Sequence, residues 1–252
     1  MKSEVKRLAK IVHTNLIASN RKVRNLLMSI IKPELYEYHN ETRNDRWIIE
    51  HVFPGKRNGY FIEAGAAGGI DGSCCYVLEK ELGWTGICVE PNSAFFEQLI
   101  INRPNSICEN VCLARQSGQV KYIEGSSETV SPYLGGIKSN LETIKYEGQK
   151  VIQRGKEVEK NSITLESILK KHHAPSVIDF AAFDIEGSEL EVLEGFPFDK
   201  YTFLALSLEC DGSIWDEISR LLIPNGYNEV KNPFNHDKYW ERYWLHRSIM
   251  ES

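Results

Sequence analysis

Apolar residues Val5, Leu8, Val12 and Leu16, then Val23, Leu26, Leu27 and Ile30, recur at three- and four-residue steps. That period predicts an amphipathic helix ending before Pro33. A second helical patch covers 45–52 and stops at Pro54-Gly55. Beyond it, apolar runs of strand length alternate with helical patterns. Strands are expected at 60–64, 86–90 and 106–113, and helices at 73–82 and 94–102. The alternation resumes with helix 165–172, strand 177–184, helix 188–193, strand 203–209 and helix 214–222. Segments 227–230 and 239–246 have the aromatic alternation of a hairpin. Such a sequence of elements predicts an α/β fold, a mostly parallel sheet with helices on both faces. Residues 1–52 form an N-terminal helical extension in this reading, and 53–252 form one domain. Residues 114–160 are polar and Gly-rich, an insertion that reads as a substrate lid or a disordered loop.

Composition narrows the class. The chain has 252 residues, 42% hydrophobic and 26% charged, so it can bury a core without staples. Residues 1–32 carry eight bases against the single acid Glu4, a charge of +7 within a net −5, so the remaining body is at −12. An acidic body argues against nucleic-acid binding, which rests on neutralising phosphates. The basic helix suits an anionic membrane surface, the acidic body itself or a partner subunit, and a homo-oligomer stays open. No apolar run approaches the roughly 20 residues of a membrane span, and the start lacks a secretory core. The six cysteines show neither CxxC nor zinc spacing, which points to a reducing, cytoplasmic setting.

Three motifs carry the chemistry. The first strand and turn read FIEAGAAGG from Phe61 to Gly69. A dinucleotide fingerprint GxGxxG would place its second Gly where Ala67 stands. Glu63, two residues before Gly65, is expected to face the pocket, where a carboxylate repels a pyrophosphate and suits a cation or an amino group. That favours S-adenosylmethionine over NAD. The second strand ends in Glu90, 25 residues after Gly65, where an acid can accept hydrogen bonds from both ribose hydroxyls. The third motif is FDIEGSE, residues 183–189. Alternate side chains in a strand share a face, so Asp184 and Glu186 are expected to project together beyond the carboxyl end of the sheet. Ser188 or Glu186 is the candidate cap of the helix that follows.

Together, FIEAGAAGG, GICVEPN and FDIEGSELEVLEG resemble the FkbM family of S-adenosylmethionine-dependent methyltransferases, over about 59–209. The resemblance implies a Rossmann-like class I fold with a seven-stranded sheet. It also implies methyl transfer (EC 2.1.1), most simply O-methylation of a hydroxyl on a sugar, glycan or small metabolite. By position, Glu63, Ala64, Gly65, Ala66, Gly68 and Ser73 fall to the cofactor turn. Glu90, Pro91 and Asn92 fall to the ribose, Asn110 and Val111 to the adenine, and Asp184 to the signature DxEG. Two positions depart from the family: Ala182 replaces a frequent lysine, and Ala67 replaces an asparagine.

An alcohol acceptor needs a base, and the candidates are Asp184, then Glu186, then Glu209 with Asp211 behind it. The same three acids, Asp184, Glu186 and Glu209, are the oxygen ligands a divalent ion would use, but nothing in their spacing demands a metal and none is expected. His236 and Asp237 stand as weaker pocket candidates. Tyr239, Trp240, Tyr243 and Trp244 either stack on a sugar or fill the core. The alternatives are an N-methyltransferase of the same fold, an NAD-type oxidoreductase and a non-catalytic nucleotide-binding module.

Overall fold

Short strands whose alternate side chains enter two different cores build the central sheet. The computed structural model describes residues 35–125, 131, 133–144, 146–209, 214–235 and 240–250. The helix expected within 1–32 lies outside those residues, as do Asp211, His236, Asp237 and Tyr239.

A helical turn, α1 (Asn44–Arg46), runs into a π-helical stretch, Trp47–Val52, where the second helical patch is expected. Then come β1 (Tyr60–Ala64), α2 (Tyr76–Leu82), β2 (Thr85–Val89), α3 (Ser93–Asn102) and β3 (Ile107–Glu109). The insertion holds β4 (Cys112–Leu113), β5 (Gly118–Glu124), β6 (Gly136–Ile137), α4 (Lys138–Leu141), α5 (Tyr146–Arg154) and β7 (Lys156–Ile163). The chain returns through α6 (Leu165–Lys171), β8 (Val177–Phe183), α7 (Glu189–Glu194) and β9 (Thr202–Glu209). It closes with α8 (Trp215–Leu222), β10 (Tyr227–Val230) and β11 (Glu241–His246).

Seven strands pair in the order β10-β11-β9-β8-β1-β2-β3, with β11 antiparallel to both of its neighbours and the other pairs parallel. Along β1, Ile62 and Ala64 pack with Ile168, Val192 and Ile218 from α6, α7 and α8. Phe61 turns the other way, toward Trp47, Leu78 and Leu99. Successive residues of these apolar runs therefore enter helical layers on opposite faces of the sheet. Tyr243 and Trp244 in β11 obey the same rule: both are buried, in opposite cores, so neither stacks on a ligand.

Two regions differ from the sequence pattern. Residues 106–113 are not one strand, because the chain turns at Asn110-Val111: β3 joins the main sheet, while β4 joins a second one. Residues 114–160, far from being unpatterned, supply most of that four-stranded sheet, ordered β4-β7-β5-β6. Its strands β5 and β7 pair over seven residues and are laced by charges, Lys121 with Glu157 and Lys160 with Glu124, each at 2.9 Å. Charged and polar residues interleaved with Val120, Tyr122 and Val158 leave these strands only a weak apolar period. Among the described residues, no helix is long and apolar enough to cross a membrane.

Candidate active site

Three strand ends converge to form the site's floor. Past β1, the N–H groups of Gly65 and Ala66 donate to the Val89 carbonyl at 3.0 and 3.1 Å. The Asp184 N–H donates to the Ala64 carbonyl at 3.0 Å. Gly65 has φ +82°, and a Cβ there would stand 1.9 Å from the Asp184 carbonyl oxygen. Only glycine lets the β1 and β8 ends approach this closely. Ala67 sits at φ +45°, a left-handed conformation that costs alanine roughly 1–2 kcal/mol and that asparagine tolerates better, which accounts for the family's asparagine there.

Above this floor lies a first cavity. Glu90 lines it, nearly buried, and accepts from Ala67 N–H at 2.8 Å and from Asn92 N–H at 2.7 Å. One hydrogen bond on each carboxylate oxygen leaves acceptor capacity on both. Burial, with the Asp184 charge adding, pushes the Glu90 carboxyl up to about 7 against the pull of its two amide donors.

Glu63 behaves differently from its expected role. Its carboxylate points into the protein, where Arg103 Nη1 donates at 2.8 Å, Ser73 Oγ at 2.8 Å and Cys74 N–H at 2.6 Å. Arg103, fully buried, bridges on to Glu79 at 2.7 Å. Two acids and one guanidinium form a closed internal network, and Glu63 borders neither cavity. Strand alternation gives the reason: Glu63 shares a face with Phe61, the face covered by α2 and α3.

The loop after β8 is held by a residue whose role the sequence pattern did not single out. Glu189, fully buried in the first turn of α7, accepts from Ile185 N–H at 2.9 Å and Gly187 N–H at 3.0 Å. Its burial pushes the carboxyl up to about 8. Ser188 makes no cap; its hydroxyl accepts instead from Asn140 of α4, at 2.7 Å. The second acid of the DxEG signature, Glu186, takes a positive φ of 52° and lines the first cavity with Asp184, so the pair shares that cavity through a turn rather than through strand alternation.

A second cavity, about 870 Å³, opens on the other side of Asp184. Glu41, Asp71, Glu209 and Glu241 border it, with Asp184 at its edge toward the first cavity. Ala182 lines it where the family often carries lysine. Close protein surroundings, then the Glu41 charge, hold the Asp184 carboxyl above the usual range, while a hydrogen bond with Glu209 pulls it back. Glu209 is pushed much higher, by burial and then by the charges of Asp184 and Glu241. The two acids titrate as a pair, with Glu209 pushed further toward its protonated form. Glu241, held by Asn44 Nδ2 at 2.9 Å, is pushed up to about 8 by burial and by Asp184. Among the described residues, no group of three or more His, Cys, Asp or Glu side chains is arranged to hold a metal ion.

Of the residues expected at the cofactor, Gly65, Glu90, Pro91, Val111 and Asp184 border the first cavity. The rest stand behind it. Ala64 and Ala66 are buried in the strand end, and Gly68 gives its carbonyl to Asn102. Ser73 serves Glu63, and Asn92 caps α3, accepting from Ala94 N–H at 3.0 Å. Asn110 spends its amide on the Glu90 and Pro91 carbonyls, at 2.7 and 3.1 Å, and so fixes the turn between β3 and β4 instead of facing a base. The motifs did not point to the insertion's contribution: Tyr122, Tyr133, Gly135, Gly136 and Ile137 roof the first cavity. No apolar period marks them, but the glycine pair at 135–136 is a visible sign of close approach, since a Cβ on Gly136 would stand 3.2 Å from the Glu186 Cβ.

A seven-stranded sheet with one reversed strand, and a cavity beyond the ends of β1, β2 and β8, define a Rossmann-like class I methyltransferase. The methyltransferase FkbM domain matches residues 63–231, about two thirds of the chain. The chain belongs to the FkbM methyltransferase family. Solved structures resembling it include a human methyltransferase 10 domain containing protein, 12% identical, covering 90% of this chain and 95% of that one at a TM-score of 0.41. A methyltransferase from Pyrococcus furiosus is 18% identical, covering 91% and 98% at 0.40. A TehB-like SAM-dependent methyltransferase from Corynebacterium glutamicum is 8% identical, covering 91% and 95% at 0.40. Scores this low carry no argument of their own; the strand order and the family match do. No curated protein matches the chain.

Proposed function

We infer that this protein methylates a hydroxyl of a sugar, glycan or small metabolite, with S-adenosylmethionine as donor. The observation that supports this most directly is the position of Asp184, which borders both cavities. The first cavity fits the donor's nucleoside. Glu90 keeps acceptor capacity for two ribose hydroxyls, and Gly65 borders the same cavity. Pro91 and Val111 give apolar walls for a base. When bound, the donor supplies an electrophilic methyl group that needs no further activation.

The protein's own work is then positioning and proton transfer. Glu189 fixes the 184–187 backbone, and so aims the Asp184 carboxylate. A hydrogen bond with Glu209 draws the Asp184 carboxyl back toward its ionised form. An acceptor hydroxyl in the second cavity would give its proton to Asp184 as the methyl carbon passes from sulfur, which leaves as a neutral thioether, to the hydroxyl oxygen, a base contribution of typically about 10²–10⁴-fold. Two acids whose environments separate their proton affinities divide the roles of base and support.

The test is mass spectrometry of metabolite and glycan pools incubated with isotopically labelled methyl donor. Wild type should yield a labelled O-methyl product that Asp184→Ala does not. Labelled product from both proteins would remove Asp184 from the chemistry, and label on nitrogen would change the acceptor class.

A further inference from the structure

Asp184 comes from the main sheet, but Tyr133, the other described residue bordering both cavities, comes from the insertion. Its ring is 56% exposed and belongs to none of the hydrophobic cores. It is nevertheless held in place: Phe95 of α3 lies against it, with centroids 4.9 Å apart and planes tilted by 38°. Phe95 also lines the first cavity. An aromatic ring anchored at a junction, with its body left uncovered, offers a π face to whatever passes between the cavities. On the methyltransferase reading of the site, the group at that junction carries a positive charge on sulfur before transfer and none afterwards. No lysine, arginine or histidine borders the first cavity among the described residues, so no described side-chain cation there competes for that face.

We propose that the Tyr133 ring is a positioning residue for the donor's sulfonium, holding the charged donor more tightly than its neutral product. A cation over an aromatic face gains roughly 0.5–1 kcal/mol at exposed sites and about 2 or more when desolvated. A thioether loses the charge term and keeps only packing. The ring therefore sets a difference between two ligands of nearly the same shape, which favours donor entry and product release. Because the attraction acts on the ground state and fades as the charge leaves sulfur, it adds to affinity rather than to kcat.

The experiment is calorimetry of the full chain with S-adenosylmethionine and, separately, S-adenosylhomocysteine, on wild type, Tyr133→Leu and Tyr133→Phe. Tyr133→Leu should weaken binding of the sulfonium ligand by roughly 3- to 10-fold and leave the thioether close to its wild-type affinity, which doubles as the folding control. Tyr133→Phe should keep the wild-type ratio. Equal loss for both ligands would reduce Tyr133 to packing. Loss in Tyr133→Phe matching that in Tyr133→Leu would assign the effect to the hydroxyl. Either result overturns the proposal while leaving the methyltransferase reading intact; wild type that binds neither ligand removes that reading first.

Discussion

The two cavities that meet at Asp184 hold their acids in opposite ways. Glu90, in the first, is clamped by two backbone N–H groups, and Glu189 behind it by two more. Backbone donors cannot change rotamer, so both carboxyls are fixed in direction, Glu90 at the cavity wall and Glu189 beneath the 184–187 turn. In the second cavity, Glu41, Asp71, Asp184, Glu209 and Glu241 share one space: the Glu41 charge raises the proton affinity of Asp184, and the Asp184 charge raises that of Glu209 and Glu241. Acids that face one another cannot all ionise, and the one that does becomes a base. On the proposed function, the fixed Glu90 carboxyl holds the donor and the crowded carboxyls of the second cavity take the acceptor's proton. Glu63 belongs to neither class, because Arg103 neutralises it inside the fold.

Removing the structural acid's partner should give the largest effect. Arg103→Ala leaves Glu63 and Glu79 buried without their cation, and breaking such a network typically costs about 3–5 kcal/mol. Urea unfolding should show that loss. A loss under about 1 kcal/mol would mean the network is dispensable and Glu63 is available to a ligand after all.

Next in size is Glu90→Ala. Losing a charge-assisted acceptor should weaken S-adenosylhomocysteine binding by about 1.5–3 kcal/mol, read by calorimetry. An unchanged affinity would erase the distinction between the cavities, since Glu90 would then hold nothing.

Smallest is the pH response of the second cavity. Asp184, Glu209 and Glu241 all have native proton affinities above their unfolded values. The native state therefore binds more protons than the unfolded state, and the stabilisation these acids give in mild acid is lost as pH rises through their native values. Thermal unfolding should show a higher midpoint near pH 5.5 than near pH 8.5, and Glu241→Gln should flatten the difference. Access to solvent through the cavity keeps the effect modest. A midpoint that rises with pH would contradict the raised proton affinities.

Much of this architecture was legible in the sequence because strands buried on both faces read as short apolar runs between helical patterns. Phe61 against Ile62, and Tyr243 against Trp244, announce strands because each neighbour enters a different core. The Gly65 turn and Glu90 were legible because their chemistry is tied to a fixed distance along a βα unit. What could not be read was direction and partnership. Whether Glu63 meets a ligand or Arg103, forty residues later, depends on which face α3 covers. The insertion stayed hidden because β5 and β7 are stabilised by cross-strand ion pairs such as Lys121 with Glu157, which leave only a weak apolar period. Its contribution to the site, through Tyr122, Tyr133 and the Gly135-Gly136 pair, was lost with it.

The division of labour between the cavities is tested most directly by a crystal structure of the protein with S-adenosylhomocysteine. The nucleoside should occupy the first cavity, its ribose hydroxyls on Glu90 and its base between Pro91 and Val111, with the sulfur at the junction beside Asp184 and Tyr133. A nucleoside seated among Glu41, Glu209 and Glu241, or outside both cavities, would contradict the assignment.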